Sequence, residues 1–388
     1  MKKIIFSALL TIFLYSFTGS ACTSVIISSK ASSTGRPLMY KNRDTGKLDN
    51  RVGWFKGPLY AFIGVENAST PGDEVWAGTN TAGFCIMNTA SYNIKDDNVP
   101  DSKMDREGKL MFKALGICET VSDFEHFLDT LCRPMGVESN FGVIDAHGGA
   151  AYFEVNNHSW VKYDVNEEPS GYRVVTNFSY SGRKEDYRGY ERYLTSSDIM
   201  REVYKEEKKV EADHNLVFRK LSRSYRNSVT GMDYNRDYSR LVSEGMSGSH
   251  TIDQDFIPRI STASAVAFEG VVSGKNPLHT VMWTILGYPS CGVAYPLLAG
   301  RKDILPGYVK KSSSSNHSLV SDEAMSIKKN HVFDITISNG QRYFNIGNLL
   351  VGSEGRPSLI SCCNDVEKYI NNLFTSIYDQ WILGVSRI

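Results

Sequence analysis

The 388-residue sequence has no net charge, because 43 Lys and Arg balance 43 Asp and Glu. Without a basic excess there is little to grip a polyanion, which argues against a nucleic-acid partner and against a basic membrane-binding face. Internal repeats and heptad runs are absent, so solenoids and coiled coils are not indicated. Cys-x-x-Cys spacing is absent too, and the adjacent pair Cys362-Cys363 offers neither a zinc motif nor a redox motif. None of the eight histidines falls in a recognisable nucleophile or metal motif. His126, His147, His158, His214, His250, His279, His317 and His331 are therefore expected at the surface or in structural roles, and no metal or organic cofactor is implied. Low complexity is confined to Lys310 to Asn316, which reads as an exposed serine-rich loop.

What is present suits a globular fold: 41% hydrophobic and 22% charged residues, with 21 Tyr and 18 Phe. The chain opens with Lys2-Lys3, continues through apolar residues from Ile4 to Phe17 and ends the segment on Gly19-Ser20-Ala21. That order is a secretory signal peptide, and its apolar run of about 14 residues is short of the roughly 20 that span a bilayer. Cleavage after Ala21 implies an exported protein, periplasmic or extracellular, with no integral membrane segment and with Cys22 at its new N-terminus. Cys22 then has two incompatible readings. A lipoprotein lipidates this thiol and acylates its amine, making a surface module that binds a ligand or partner; an N-terminal nucleophile needs both groups free. Gly19 stands where the lipoprotein signal carries an aliphatic residue.

Strand-like pieces dominate the first three hundred residues. Thr23 to Ser29 and Leu38 to Asn42 flank a turn-rich segment, as in a hairpin. Further strands are expected at Leu59 to Val65, Gly83 to Thr89, Phe141 to Ile144, Ala150 to Val155, Arg173 to Thr176, Ser264 to Phe268 and Thr280 to Leu286. Ser122-Asp123-Phe124-Glu125 has capping-box spacing ahead of Phe127, Leu128 and Leu131. Other helical patterns cover about Lys109 to Cys118, Glu185 to Lys205, Asn215 to Ser222, and Val366 to Tyr378 after Asn364 as cap. Strands with helices in blocks point to a layered α+β fold.

Cys22-Thr23-Ser24-Val25-Ile26-Ile27, followed after the hairpin by Lys41-Asn42-Arg43-Asp44, resembles the cysteine N-terminal nucleophile (Ntn) hydrolases. The choloylglycine hydrolase and penicillin V acylase group, and especially its isopenicillin N acyltransferase-like branch, begin a strand with Cys-Thr and carry a basic-Asn-x-Asp segment on the next. Later segments match in order: Gly78 to Phe84 with Met87 to Ala90, Asn140 to Ala146 through Glu154, Val174 to Asn177, Glu191-Arg192-Tyr193, and Met282 to Pro289. The resemblance implies one αββα domain from residue 22 to 388, with two mainly antiparallel sheets stacked between helices. It also implies hydrolysis of, or acyl transfer from, a linear non-peptide amide such as an N-acyl amide, bile-salt conjugate or penicillin, and association into oligomers.

A terminal Cys supplies nucleophile and base together, since a free α-amine with pKa near 7.7 to 8.0 is partly neutral at pH 7. By resemblance Asp44 holds that amine, and Asn177 and Asn88 stabilise the oxyanion; each could instead be closing a turn. Lys41 falls where the family has Arg beside the nucleophile, and Arg43, on the same strand face, competes for that role. Lys41 and Asp44 lie on opposite faces of a regular strand, so both reach Cys22 only if the strand ends, bulges or twists there. Arg192 matches a family Arg near the nucleophile, with a solvated helix charge as its alternative. Cys85, Cys118, Cys132, Cys291, Cys362 and Cys363 read as mostly free thiols, packed as small hydrophobes.

Overall fold

The computed structural model describes residues 21–385, apart from 71, 206, 247, 301, 303, 304, 314, 336–341, 353 and 354, with side chains described to residue 378. The expected leader up to residue 20 lies outside the described residues.

Two large sheets are present among the described residues. β1 (Cys22–Ile27) and β2 (Leu38–Asp44) form the expected hairpin, with Cys22 opposite Arg43 and Ile27 opposite Leu38. The sheet continues from β2 through strand Thr262–Glu269 to Val281–Leu286 and Tyr295–Leu297; on the other side of β1 lies β10 (Tyr172–Val175). The second sheet is a meander of β3 (Asn50–Lys56), β4 (Ala61–Asn67), β5 (Ala77–Asn80), β6 (Cys85–Ala90), β7 (Ser139–Ile144), β8 (Ala150–Val155) and β9 (Trp160–Asp164). All the pairings are antiparallel.

Strand alternation sorts the apolar residues into layers. Ile26, Met39, Val266 and Met282 of the first sheet meet Ile63, Met87, Ile144 and Tyr152 of the second. Val25, Ile27, Tyr40 and Trp283, on the opposite face, pack under α3 (Tyr190–Val203) and the C-terminal helix Leu359–Val385 through Ile199, Met200, Phe374 and Tyr378. The outer face of the second sheet, with Phe62, Phe84, Phe141 and Phe153, is covered by Leu110, Met111 and Leu115 of α1 (Glu107–Ile117) and Phe124 and Leu128 of α2 (Val121–Thr130). Each such ring removed from water contributes roughly 1.5–3 kcal/mol. The architecture is α+β, with two stacked antiparallel sheets between helices.

Two expected helix caps differ from what forms, and α3 begins at Tyr190 rather than near Glu185. The capping box before α2 is made by Thr120 and Asp123, so Ser122 lies inside the helix. Asn364 is likewise inside the C-terminal helix, which begins at Leu359 with the Ser358 hydroxyl accepting the Ser361 N–H, and its amide oxygen serves Arg223 instead. Among the described residues no helix is long and apolar enough to cross a membrane. All seven cysteines are free; Cys132 and Cys362 are exposed and the others buried.

Candidate active site

Cys22 begins β1 at one end of the sandwich and is 4% exposed. It shares the side of β1 that carries Ile26, so its thiol belongs to the space between the sheets. Its backbone nitrogen donates to Asn177 Oδ1 at 2.8 Å, and Arg192 Nη1 donates to its carbonyl at 2.7 Å. Arg192 Nη2 also donates to Asn177 Oδ1 at 3.0 Å. The arginine is 2% exposed and its Nε faces Asp255 Oδ2 at 3.4 Å, so it is no solvated helix charge.

β2 splits its charged residues by face, as a regular strand must. Lys41 and Arg43 share the inter-sheet side with Met39, whereas Asp44 shares the helix side with Tyr40. Lys41 Nζ reaches across to the second sheet, donating to Trp76 O at 2.7 Å and Asn88 Oδ1 at 2.8 Å. Burial pulls its pKa down to about 8, against which the neighbouring Cys22 charge supports the ammonium. Arg43 crosses the same gap to Asn50 Oδ1 at 2.7 Å and Asn67 Oδ1 at 3.0 Å, with its guanidinium over the Trp76 ring at 4.9 Å. Burial lowers its pKa to about 10.

Asp44 is fully buried. Its Oδ1 accepts from Thr262 Oγ1 at 2.6 Å and Asn42 Nδ2 at 3.1 Å, while Oδ2 has no partner. Desolvation pushes its pKa up to about 6, opposed by Arg259 and Arg192. Its backbone N–H donates at 2.9 Å to the carbonyl of Ala21. Both polar groups of the Ala21–Cys22 peptide are thus held, the carbonyl by Asp44 and the nitrogen by Asn177. Asn177 Nδ2 gives a hydrogen to Ala90 O at 3.0 Å, and Asn88 Nδ2 gives one to Ser139 Oγ at 3.1 Å.

No family model matches the chain, and no curated protein does. Among solved structures it is similar to a Caenorhabditis elegans N-acylethanolamine-hydrolyzing acid amidase ortholog, at 13% identity over 64% of this chain and 92% of that one, with a TM-score of 0.42. A mutant conjugated bile acid hydrolase from Clostridium perfringens gives 11% identity over 73% and 93%, TM-score 0.42. Penicillin V acylase from Agrobacterium tumefaciens gives 12% over 76% and 89%, TM-score 0.40. Likenesses this distant decide nothing about the chemistry, which rests on the geometry above.

All seven residues singled out from the sequence gather around the start of β1, on both faces of the sheet. Sequence reasoning missed their supports: Trp76, which serves Lys41 and Arg43 at once, the paired Asn50 and Asn67, and the Thr262, Asp255 and Arg259 group beside Asp44 and Arg192. Asn67 and Trp76 carry no motif, and Thr262 is 218 residues from its partner.

Proposed function

We propose that the chain is an exported amidohydrolase whose N-terminal nucleophile is Cys22, exposed by cleavage after Ala21, and that it belongs with the cysteine Ntn hydrolases as a single domain. The observation that carries this reading is the Cys22 nitrogen, buried at a strand start and held by Asn177 while Arg192 fixes the same residue's carbonyl. The Asn177 Oδ1 acceptor that meets this atom suits an amine as well as an amide nitrogen. In the cleaved chain the freed α-amine is held by Asn177 Oδ1 and by Asp44 Oδ2, the buried oxygen left without a partner in the longer chain.

The thiol loses its proton to the α-amine and attacks the amide carbonyl; the side-chain amides of Asn177 and Asn88 face the oxyanion. The protonated amine then passes its proton to the leaving nitrogen as the C–N bond breaks, leaving a thioester on Cys22. Water, deprotonated by the amine, releases the acid and restores the thiol. An amide nitrogen cannot play this part, so a chain retaining Ala21 is expected to fold and be inactive. The test compares turnover of the cleaved and Ala21-bearing chains on any cleavable N-acyl amide, with intact mass measured on the exported protein. Equal turnover, or a diacylglycerol adduct on Cys22, overturns the proposal.

A further inference from the structure

Four arginines are buried among the described residues, namely Arg43, Arg51, Arg192 and Arg223. Three have a carboxylate partner: Glu66 at 2.8 Å from Arg51, Asp255 at 3.4 Å from Arg192 and Glu367 at 2.6 Å from Arg223. Arg43 has none in contact; both its hydrogen-bond partners are neutral amide oxygens. Removing a guanidinium from water costs several kcal/mol, normally recovered only with a counter-charge and full hydrogen bonding. Lys41, next on the same face, also donates only to neutral oxygens. Two buried cations thus stand beside the nucleophile with no acid in contact with either.

The Arg43 site is rigidly built. Asn50 is itself fixed, its Nδ2 donating to Lys47 O at 3.1 Å and its Oδ1 accepting from Ser264 Oγ at 3.0 Å. Trp76 covers one face of the guanidinium, and two of its five N–H donors are spent on Asn50 and Asn67. Directly opposite residues of an antiparallel pair place their Cβ atoms about 4.5–5.5 Å apart, and Arg43 is directly opposite Cys22. A group bound by Arg43 therefore lies within a few bonds of a carbonyl attacked by Cys22. Ala21, which precedes Cys22, is buried too, its carbonyl accepting from the Asp44 N–H.

We propose that Arg43 reads a carboxylate close to the scissile amide, so that the preferred substrates are N-acyl amino acids rather than neutral amides. The proposal rests on the reading of Cys22 as nucleophile. A planar guanidinium offers a carboxylate two parallel N–H donors, which Lys41 cannot do, so Arg43 supplies recognition and Lys41 supplies charge.

The test uses the cleaved chain in two measurements. Cys22 is alkylated with anionic iodoacetate and with neutral iodoacetamide, and kcat/KM is compared for N-octanoylglycine and N-octanoylglycinamide. Glutaryl and butyryl p-nitroanilides form a second pair, which places the carboxylate on the acyl side. The wild type is expected to prefer N-octanoylglycine by about tenfold or more, in line with one charged contact, with the difference chiefly in KM. Arg43→Gln should erase that preference and lower the iodoacetate rate relative to iodoacetamide, while Arg43→Lys retains part of both. Equal turnover of the charged and neutral glycine amides by the wild type overturns the proposal. So does an Arg43→Gln variant whose two alkylation rates fall together, since Arg43 would then be activating the thiolate. A preference appearing only in the glutaryl pair overturns the amino-acid assignment. Failure of iodoacetamide to label Cys22 at all overturns the nucleophile reading instead.

Discussion

Arg223 and Arg43 are both buried guanidiniums, and the protein completes them differently. Arg223 donates to both oxygens of Glu367 at 2.6 and 2.8 Å, to Asn364 Oδ1 at 2.8 Å, to Pro289 O at 3.0 Å and to Gly292 O at 3.1 Å. Its hydrogen-bonding capacity is filled and its charge is matched, so it pins the C-terminal helix to the segment after strand Val281–Leu286. Arg43 is held by two amide oxygens and an aromatic face, fixed in place with donors left over. A completed ionic site is a structural fastener; an incomplete one beside Cys22, the proposed nucleophile, has donors left for the carboxylate proposed above.

The largest effect tests the fastener. Glu367→Leu leaves Arg223 buried and uncompensated, which typically costs about 3–5 kcal/mol. Urea denaturation should show that loss, whereas alkylation of Cys22 in the folded protein should be unaltered. The double variant Arg223→Met with Glu367→Leu should recover much of the stability, because it removes both buried charges. A single-variant cost under about 1 kcal/mol would erase the contrast between the two sites.

Next in size is Asn177→Ala. Losing one oxyanion donor usually lowers kcat roughly 100 to 1,000-fold. Asn177 also holds the Cys22 nitrogen and is fully buried, so some stability is lost with it, though less than for Glu367→Leu. A kcat within about twofold of wild type would reduce Asn177 to a turn-closing residue.

The sequence made the strands of the inner layers legible because burial on both faces writes long apolar runs: β1, β2, β7, β8 and the strands around Val266 and Trp283 fall where expected. β3 was not foreseen, since Asn-Arg-Val-Gly-Trp-Phe-Lys has neither a clean alternation nor an apolar run. β5 is only Ala-Gly-Thr-Asn, and β9 is an edge strand with its outer residues in water. The helix-start errors share one cause: several polar residues near each start could cap, and packing chooses among them. At the site, Cys22, Lys41, Arg43 and Asp44 were legible because they are close in sequence and their chemistry is distinctive. The partition of β2 into a cationic face and an acidic face also follows from strand geometry alone. Asn50, Asn67 and Trp76 were not legible, because their roles arise from the stacking of one sheet on another and leave no local pattern.

The smallest effect separates the two cations on β2. Lys41 is 1% exposed, and burial brings its pKa from 10.5 to about 8. The folded chain therefore releases this proton more readily than the unfolded chain. Below pH 8 both states are protonated, and the folded state bears the full cost of a buried ammonium. As pH rises from 8 toward 10.5 the folded state sheds that charge first, so stability attributable to this position increases over the window. One pKa unit corresponds to about 1.4 kcal/mol, so raising the pH from 8 to about 9.5 should favour wild type over Lys41→Met by about 2 kcal/mol. Urea denaturation of both proteins across that range measures the difference directly. Arg43 should give no such step between pH 8 and about 9.5, since its pKa of about 10 lies above that range. The preference of Cys22 for iodoacetate should in parallel decline through pH 8 in the wild type, as Lys41 loses its charge, and the part that persists belongs to Arg43. A flat stability difference would mean that Lys41 keeps its charge across this range as a solvated lysine does, and the iodoacetate preference should then persist through pH 8.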